Sequence, residues 1–278
     1  MKKQPLYLVI AGVLLFCIIY FFGRTVPLKK REQPLTTNTN QALTINSILA
    51  ASRLQLTPSQ QAYVSQLEAA IVRGDIKQQH INVYKQLASF WRDSAHLLLP
   101  ATWYAGEVAK LENSEKSLTF AAQFYLDKVR RQDDPAIKTW MATQAKDLFE
   151  RALALNPAND SNKIGLGSCY LFGNITSNPM QGVKLVRDVA EKDPDNMYAQ
   201  FTLGLAAMIS GQSDRAIERL SKVAEKEPAN EEAHLLLAEA YERKGDKINS
   251  IRWYEATKKL ISDPAFSAEI DKKIISLK

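Results

Sequence analysis

The C-terminal half of the chain repeats itself with a period of 34 residues. Residues 188–194 (DVAEKDP) and 222–228 (KVAEKEP) are nearly the same sequence and lie 34 residues apart. The same offset relates further pairs: Gly182 and Ala216, Leu203 and Leu237, and Gly211 and Gly245. A fixed period of this length is typical of arrays in which each repeat is one supersecondary unit, and neighbouring units stack to bury a common core. The sequence therefore predicts a stacked repeat array.

Apolar residues recur at helical spacing upstream of this repeat as well. Thr57 and Pro58 supply a cap residue and a first-turn proline, which together favour a helix start. Series spaced by three and four then follow over 63–71, 81–91, 103–111 and 118–129. No stretch alternates with period two for long enough to predict a strand. The body is expected to be all-α.

From residue 137 the pattern becomes more regular. Ala145, Phe149, Ala152 and Pro157 form one helix motif, and Leu166-Gly167-x-x-Tyr170 forms the next. These motifs resemble the tetratricopeptide repeat (TPR) family, in which a first helix and a second helix pair within each 34-residue unit. The resemblance covers 137–264 as three consecutive units, and weakly covers 58–136, where one or two divergent units are expected. It implies an α-solenoid closed by a capping helix at 265–278.

The resemblance also explains individual positions. Small residues at Gly167, Gly204 and Ala238 would let paired helices approach, while Gly211 and Gly245 would form the turns between them. Two departures stand out. Ser250 occupies a position where alanine is usual, and the loop 173–179 holds three residues more than the period allows.

The N-terminus has the features of a membrane anchor. Residues 6–23 (LYLVIAGVLLFCIIYFFG) contain no charge, and basic residues flank them on both sides within 1–31. This length is near the lower limit for a spanning helix, and no small-x-small cleavage site follows. A cleaved signal peptide is the alternative; a lipoprotein signal would need a small residue before Cys17, where Phe16 stands. We expect an uncleaved transmembrane helix, followed by a polar tether over 32–57. Within the tether, the spacing of Ile45, Ile48, Leu49 and Leu54 indicates a short helix.

The orientation of the anchor is open. Counting basic residues slightly favours a cytoplasmic body, because more of them follow the apolar run than precede it. A short basic tail ahead of an apolar run is also how a signal-anchor begins, which would export the body. We expect a single-pass protein whose body lies on the periplasmic side of a bacterial inner membrane.

Charge and composition exclude several classes of function. All six basic residues of 1–31 lie beside the apolar run, and removing them from the total of 36 leaves 30 against 30 acidic residues in 32–278. A neutral body predicts no nucleic-acid binding. Only three histidines and two separate cysteines are present, so no metal site is expected, and Cys169 is predicted to be a lone buried thiol. No phosphate loop, zinc-protease helix or nucleophile elbow occurs, so we expect neither a cofactor nor an enzyme.

The TPR resemblance implies that partners bind the concave face lined by first helices. Mapped by the repeat, the protein-binding groove that we expect comprises Tyr198, Phe201, Leu205, Met208, Glu232, Leu235, Glu239 and Glu242. The basic clamp with which chaperone-binding TPRs hold a terminal carboxylate is missing from these positions. An amphipathic, partly basic segment would suit the groove. Alternatively, Tyr198, Phe201 and Met208 cover a neighbouring unit or the tether.

The leading hypothesis is a membrane-tethered, non-catalytic scaffold for protein–protein interaction near the bilayer, with a partner whose identity the sequence does not give. The alternative is an envelope assembly or maturation factor that holds client proteins, similar to anchored TPR subunits of cytochrome maturation. A hydrolytic role belongs to a different class, and the missing catalytic motifs disfavour it.

Overall fold

The computed structural model describes residues 43–73 and 76–278. Within these ranges the chain forms thirteen α-helices and one π-helical turn, and no strand is present. The predicted all-α fold is confirmed for this part of the chain. The predicted anchor, residues 6–23, lies outside it. None of the described helices is both long enough and apolar enough to cross a bilayer.

The helices are numbered here in chain order. The first six are α1 (Ile45–Arg53), α2 (Pro58–Arg73), α3 (Lys77–Ser89), α4 (Leu98–Glu112), α5 (Glu115–Val129) and α6 (Pro135–Leu155). The remaining seven are α7 (Asp160–Phe172), α8 (Met180–Lys192), α9 (Met197–Ile209), α10 (Ser213–Lys226), α11 (Glu231–Lys244), α12 (Lys247–Leu260) and α13 (Pro264–Leu277). The π-helical turn, Phe90–Ser94, follows α3 directly.

An asparagine side chain caps the N-terminus of the first helix in three successive units. Asn159, Asn196 and Asn230 precede α7, α9 and α11, and each accepts a hydrogen bond from the backbone N–H three residues on, at 2.9 to 3.0 Å. These bonds satisfy donors that the first helical turn leaves unpaired.

Consecutive helices pair and then stack. The principal pairs are α3 with α4, α5 with α6, α7 with α8, α9 with α10 and α11 with α12. Gly167 lies where α7 meets α8: a Cβ atom there would approach Val186 Cγ2 to 2.6 Å and the carbonyl oxygen of Gly182 to 2.9 Å. A Cβ atom at Gly204 would likewise approach Leu220 Cγ of α10 to 2.8 Å. The predicted close approaches at both glycines are confirmed.

The structure also explains the two turn glycines and Ser250, which stands where alanine is usual in the repeat. Gly211 and Gly245 have φ angles of 73° and 83°, in the left-handed region where glycine carries no Cβ penalty. Ser250 is fully buried, and its hydroxyl donates to the carbonyl oxygen of Ala238 at 3.0 Å. The serine is tolerated because its one polar atom finds an acceptor in the facing helix.

At the C-terminus α13 packs on α12. Ile270 and Ile274 are buried there beside Ala238 and Tyr254, and Phe266 and Leu277 pack against the same cluster. The apolar side of this last helix therefore faces the preceding pair of helices. Its polar side faces water, as the end of a stacked array requires.

Helix packing crosses two of the predicted segment boundaries. Within the predicted tether, α1 folds against α4, and Ile48 is 5% exposed in the core formed by α4 to α7. Ordered packing therefore starts before residue 58, because the apolar face of α1 has a partner to cover. Further on, α5 pairs with α6, so helix pairing runs across the expected boundary between 136 and 137.

Candidate functional site

First helices of four successive pairs line one groove. Its volume is about 480 Å³, and α5, α7, α9 and α11 all contribute side chains. The apolar part of its lining consists of Leu126, Phe172, Tyr198, Phe201 and Leu205. The polar part consists of Gln123, Asp127, Lys128, Arg130, Arg131, Ser168, Thr202 and Glu232. This surface is called the concave groove below.

Four of the eight residues predicted to bind a partner line this groove. They are Tyr198, Phe201, Leu205 and Glu232. Tyr198 is 37% exposed, and its hydroxyl interacts with Gln123 of α5 and Ser168 of α7. Phe201 and Leu205 are half-buried one helical turn apart on α9, so each keeps part of its apolar surface open to the groove.

Met208 does not belong to the predicted binding surface. Its side chain is only 2% exposed and packs with Ala216, Leu220 and Leu237 in the core between α9, α10 and α11. The residue lies at the last turn of α9, where α10 and α11 come together around it. It therefore stabilises the stack and offers no surface to a partner.

The remaining three predicted residues lie beside the capping helix. Leu235 packs on the cluster that holds Tyr254 and Ile270. Glu242 accepts hydrogen bonds from the Tyr254 hydroxyl at 2.6 Å and from Nζ of Lys273 at 3.1 Å. Glu239 is half-buried on the same helix, and burial raises the pKa of its carboxyl above the ordinary value. The eight residues thus do not form one surface.

An ion pair crosses the concave groove. Arg130, at the end of α5, pairs with Glu232 in the first turn of α11, and its guanidinium lies 5.5 Å from the ring centroid of Phe201. Burial lowers the pKa of Arg130, and the neighbouring Arg131 acts in the same direction. The negative charge predicted for this part of the groove is therefore already neutralised by the protein itself.

The residues from α5 are those that sequence analysis missed. Its C-terminal end brings Asp127, Lys128 and Arg131 to the groove. Lys128 lies 5.9 Å from the ring centroid of Phe124, and within the described residues neither Lys128 nor Arg131 has an ion-pair partner. The sequence contained a signal for these residues. If α6 is a second helix, then α5 is the first helix of that pair and must face the groove.

Cys169 is a free thiol, completely buried, and burial raises its pKa to about 12. The prediction of a lone buried thiol is confirmed. Across 43–73 and 76–278, no three His, Cys, Asp or Glu side chains come together in a geometry that could hold a metal ion.

Comparison with known proteins identifies part of this array. Residues 201–264 match the tetratricopeptide repeat family model, which assigns α9 to α12 to that repeat. This match spans the last two of the three units predicted from the sequence. No protein with a curated functional description matches the chain.

Several solved structures are similar to the chain. A crystal structure of MamA has 17% identity and a TM-score of 0.45, covering 66% of this chain and 92% of its own. YrrB, described as a TPR protein with an unusual peptide-binding site, has 19% identity and a TM-score of 0.45, covering 74% and 97%. MamA of Desulfovibrio magneticus RS-1 has 19% identity and a TM-score of 0.45, covering 67% and 96%.

Proposed function

We propose that this protein is a scaffold that binds a segment of a partner protein in the concave groove. The observation that carries the proposal is the half-buried apolar floor formed by Phe201 and Leu205, with Tyr198 beside it. A groove of about 480 Å³ is within the range that accommodates one or two large side chains. Apolar anchors that insert into such a groove supply most of the affinity of helix and strand ligands.

The charges around the floor favour an acidic segment. Glu232 is already paired with Arg130, whereas Lys128 and Arg131 have no carboxylate partner among the described residues. Asp127 is the other acidic residue in the lining, so cations exceed anions at the groove. A carboxylate on the partner would meet one of these free cations, with a large apolar side chain placed on Phe201 and Leu205. This preference has the opposite sign to the partly basic segment expected from the sequence.

The test uses crosslinking followed by direct titration. A photoreactive amino acid replaces Leu205 in the full chain, and the crosslinked partner peptide is identified by mass spectrometry. That peptide is then synthesised and its affinity is measured for the wild type and for Leu205→Glu. We expect an acidic peptide with a large apolar residue, and binding at least about tenfold weaker for the variant, since one lost apolar anchor corresponds to 1.4 kcal/mol or more.

A matched control separates the groove from general effects of the substitution. Ile248 on α12 is an apolar residue that is 82% exposed and lies outside the groove lining. The variant Ile248→Glu makes the same chemical change and should bind the peptide as the wild type does. Equal binding by wild type and Leu205→Glu, with both variants retaining helical circular dichroism, would contradict the proposal.

We further propose that residues 6–23 anchor this scaffold at a membrane. The uncharged run and its basic flanks support the anchor, and the short basic tail before the run supports export of the body. Fractionation with alkaline carbonate tests the anchor, because an integral span resists extraction. A reporter enzyme active on only one side of the membrane, fused after Lys278, tests the orientation. Recovery of the chain in the extracted fraction would rule out the anchor.

A further inference from the structure

A second cavity lies on another side of α9. Its volume is about 530 Å³; α8 and α10 provide its walls and α9 its floor. Apolar side chains of α8 and α9 line it, including Val183, Leu203 and Ala206, whereas α10 contributes arginines. It is called the α8–α10 cleft here. Apart from Phe172, its lining has no residue in common with that of the concave groove.

Two large apolar side chains at this cleft are exposed to solvent. Met180, the first residue of α8, is 58% exposed, and Ile209, the last residue of α9, is 66% exposed. Pro179, which ends the inserted loop 173–179, lines the cleft next to Met180. The three extra residues of that loop therefore lead directly into one wall of the cleft.

Three arginines surround this apolar floor. They are Arg187 on α8 and Arg215 and Arg219 on α10. Arg215 donates to the Gln212 side chain at 2.5 Å, and Arg219 donates to the Gln200 side chain at 2.8 Å. None of the three has a carboxylate partner within the described part of the chain. Glu191 is the one acidic residue in the lining, so the cleft carries an excess of positive charge.

The next interval of the array carries different residues at the equivalent positions. Thirty-four residues after Met180 and Ser210 stand Asp214 and Lys244, and these two form an ion pair at 2.7 Å. Thirty-four residues after Ala207 and Arg219 stand Tyr241 and Trp253. Both of these aromatic residues pack against the core between α9 and α12. The later interval thus has an ion pair and two aromatic rings at positions where the α8–α10 cleft has Met180, Ser210, Ala207 and Arg219.

We propose that the α8–α10 cleft is a second docking site, and that it binds an acidic protein segment carrying large apolar side chains. The apolar side chains pack between Met180 and Ile209, whose own side chains are exposed at the cleft. The carboxylates pair with Arg187 and Arg215, whose guanidinium groups can each hold one in a bidentate arrangement. This site is separate from the concave groove, so one chain could hold two segments at once.

The test begins with selection from a displayed library of random peptides, using the full chain as bait. Peptides that also bind Leu205→Glu are retained, since that variant disables the concave groove. Among them we expect sequences rich in Asp and Glu with interspersed Leu, Ile or Phe. The double variant R187E/R215E should weaken their binding at least about tenfold, since charge-assisted contacts exceed the 1.4 kcal/mol that a tenfold change requires. Binding should also weaken as salt rises.

Two variants make this test specific. Arg252→Glu applies the same charge reversal to an exposed arginine of α12 outside the cleft, and should leave binding unchanged. The double variant M180D/S210K introduces, at two exposed positions, the two residues that form the ion pair of the later interval. It should abolish binding while the chain stays folded. The proposal is overturned if the selection yields no acidic peptide that distinguishes R187E/R215E and M180D/S210K from Arg252→Glu. A selection in which every acidic peptide fails to bind Leu205→Glu would support the groove and overturn the cleft.

Discussion

Arg130 pairs with Glu232 across the concave groove, although 102 positions separate them in the sequence. The contact links the end of α5, in the region of weak repeat resemblance, to the first turn of α11. Phe201 lies beneath the guanidinium, so the ion pair also covers part of the apolar floor. Curvature of the helical stack brings these three residues together, because α5 and α11 belong to pairs that are not neighbours.

The first prediction is a measurable but small coupling between these two residues. Both side chains are substantially exposed, at 32% and 45%, so solvent screens the ion pair. A double-mutant cycle with Arg130→Ala and Glu232→Ala, followed by urea unfolding, should give a coupling energy of about 0.2–1 kcal/mol. The coupling should decrease at high salt.

A second double-mutant cycle, on Arg92 and Asp93, is the control for this measurement. These residues are adjacent in the chain and 59% and 58% exposed, so their ion pair does not depend on how the helices stack. Coupling between Arg130 and Glu232 that is absent even at low salt would mean that α5 and α11 do not meet across the groove in solution.

The second prediction concerns two helical glycines with opposite surroundings. At Gly167 an added Cβ would collide with Val186 and with the backbone of Gly182, so Gly167→Ala should lower the free energy of unfolding by about 1–3 kcal/mol. At Gly106 the nearest atom, Tyr125 Cε2, is 3.4 Å away, an ordinary contact. Gly106→Ala should therefore raise the free energy of unfolding, by about 0.5–1 kcal/mol. Chemical denaturation of both variants measures the two signs, and an equal loss in both would contradict the assigned helix contact.

Local features of this fold could be predicted from the sequence because their causes are local. The asparagine caps need only one side chain and the backbone two to three residues on, and the turn glycines need only their own φ angle. The close approach at Gly204 follows from the repeat, since the same spacing places a small residue opposite α10. For such positions the 34-residue period was a sufficient guide.

The groove was harder to predict because burial depends on residues from several helices. Phe201, Leu205 and Met208 were assigned to one face of α9 by spacing, yet Met208 is covered by α10 and α11 while the other two remain open. Sequence spacing gives the direction of a side chain but not what lies in front of it. The cations from α5 were missed for the same reason: they reach the groove through tertiary packing.

The third prediction concerns the reactivity of Cys169. Its thiol is buried, and the resulting high pKa, about 12, keeps it protonated at neutral pH, whereas alkylation requires an exposed thiolate. Native protein treated with iodoacetamide at neutral pH should carry no label on the peptide that contains Cys169. Unfolding in urea should expose the residue to rapid labelling. Labelling at the same rate in native and unfolded protein would contradict the burial of α7 in the stack.

The fourth prediction is a pH-dependent gain in stability for Glu239→Gln. Burial raises the pKa of Glu239, and the nearby Arg243 and Lys273 offset this only in part. Between the ordinary pKa and this raised value, the folded chain binds more protons than the unfolded chain, so stability falls as pH rises through that window. Above it, the full cost of holding the buried charge remains. The glutamine variant carries no such charge and should be the more stable protein at neutral pH.

Thermal unfolding of both proteins at a series of pH values measures this difference. The gain should be greatest at neutral pH and should vanish in acid, where Glu239 is protonated in both folded and unfolded chains. Glu255 on α12 is exposed, so Glu255→Gln makes the same change without the desolvation cost and should show no comparable gain. A Glu239→Gln variant less stable than the wild type at neutral pH would instead mean that Arg243 and Lys273 stabilise the ionised carboxylate by more than burial penalises it.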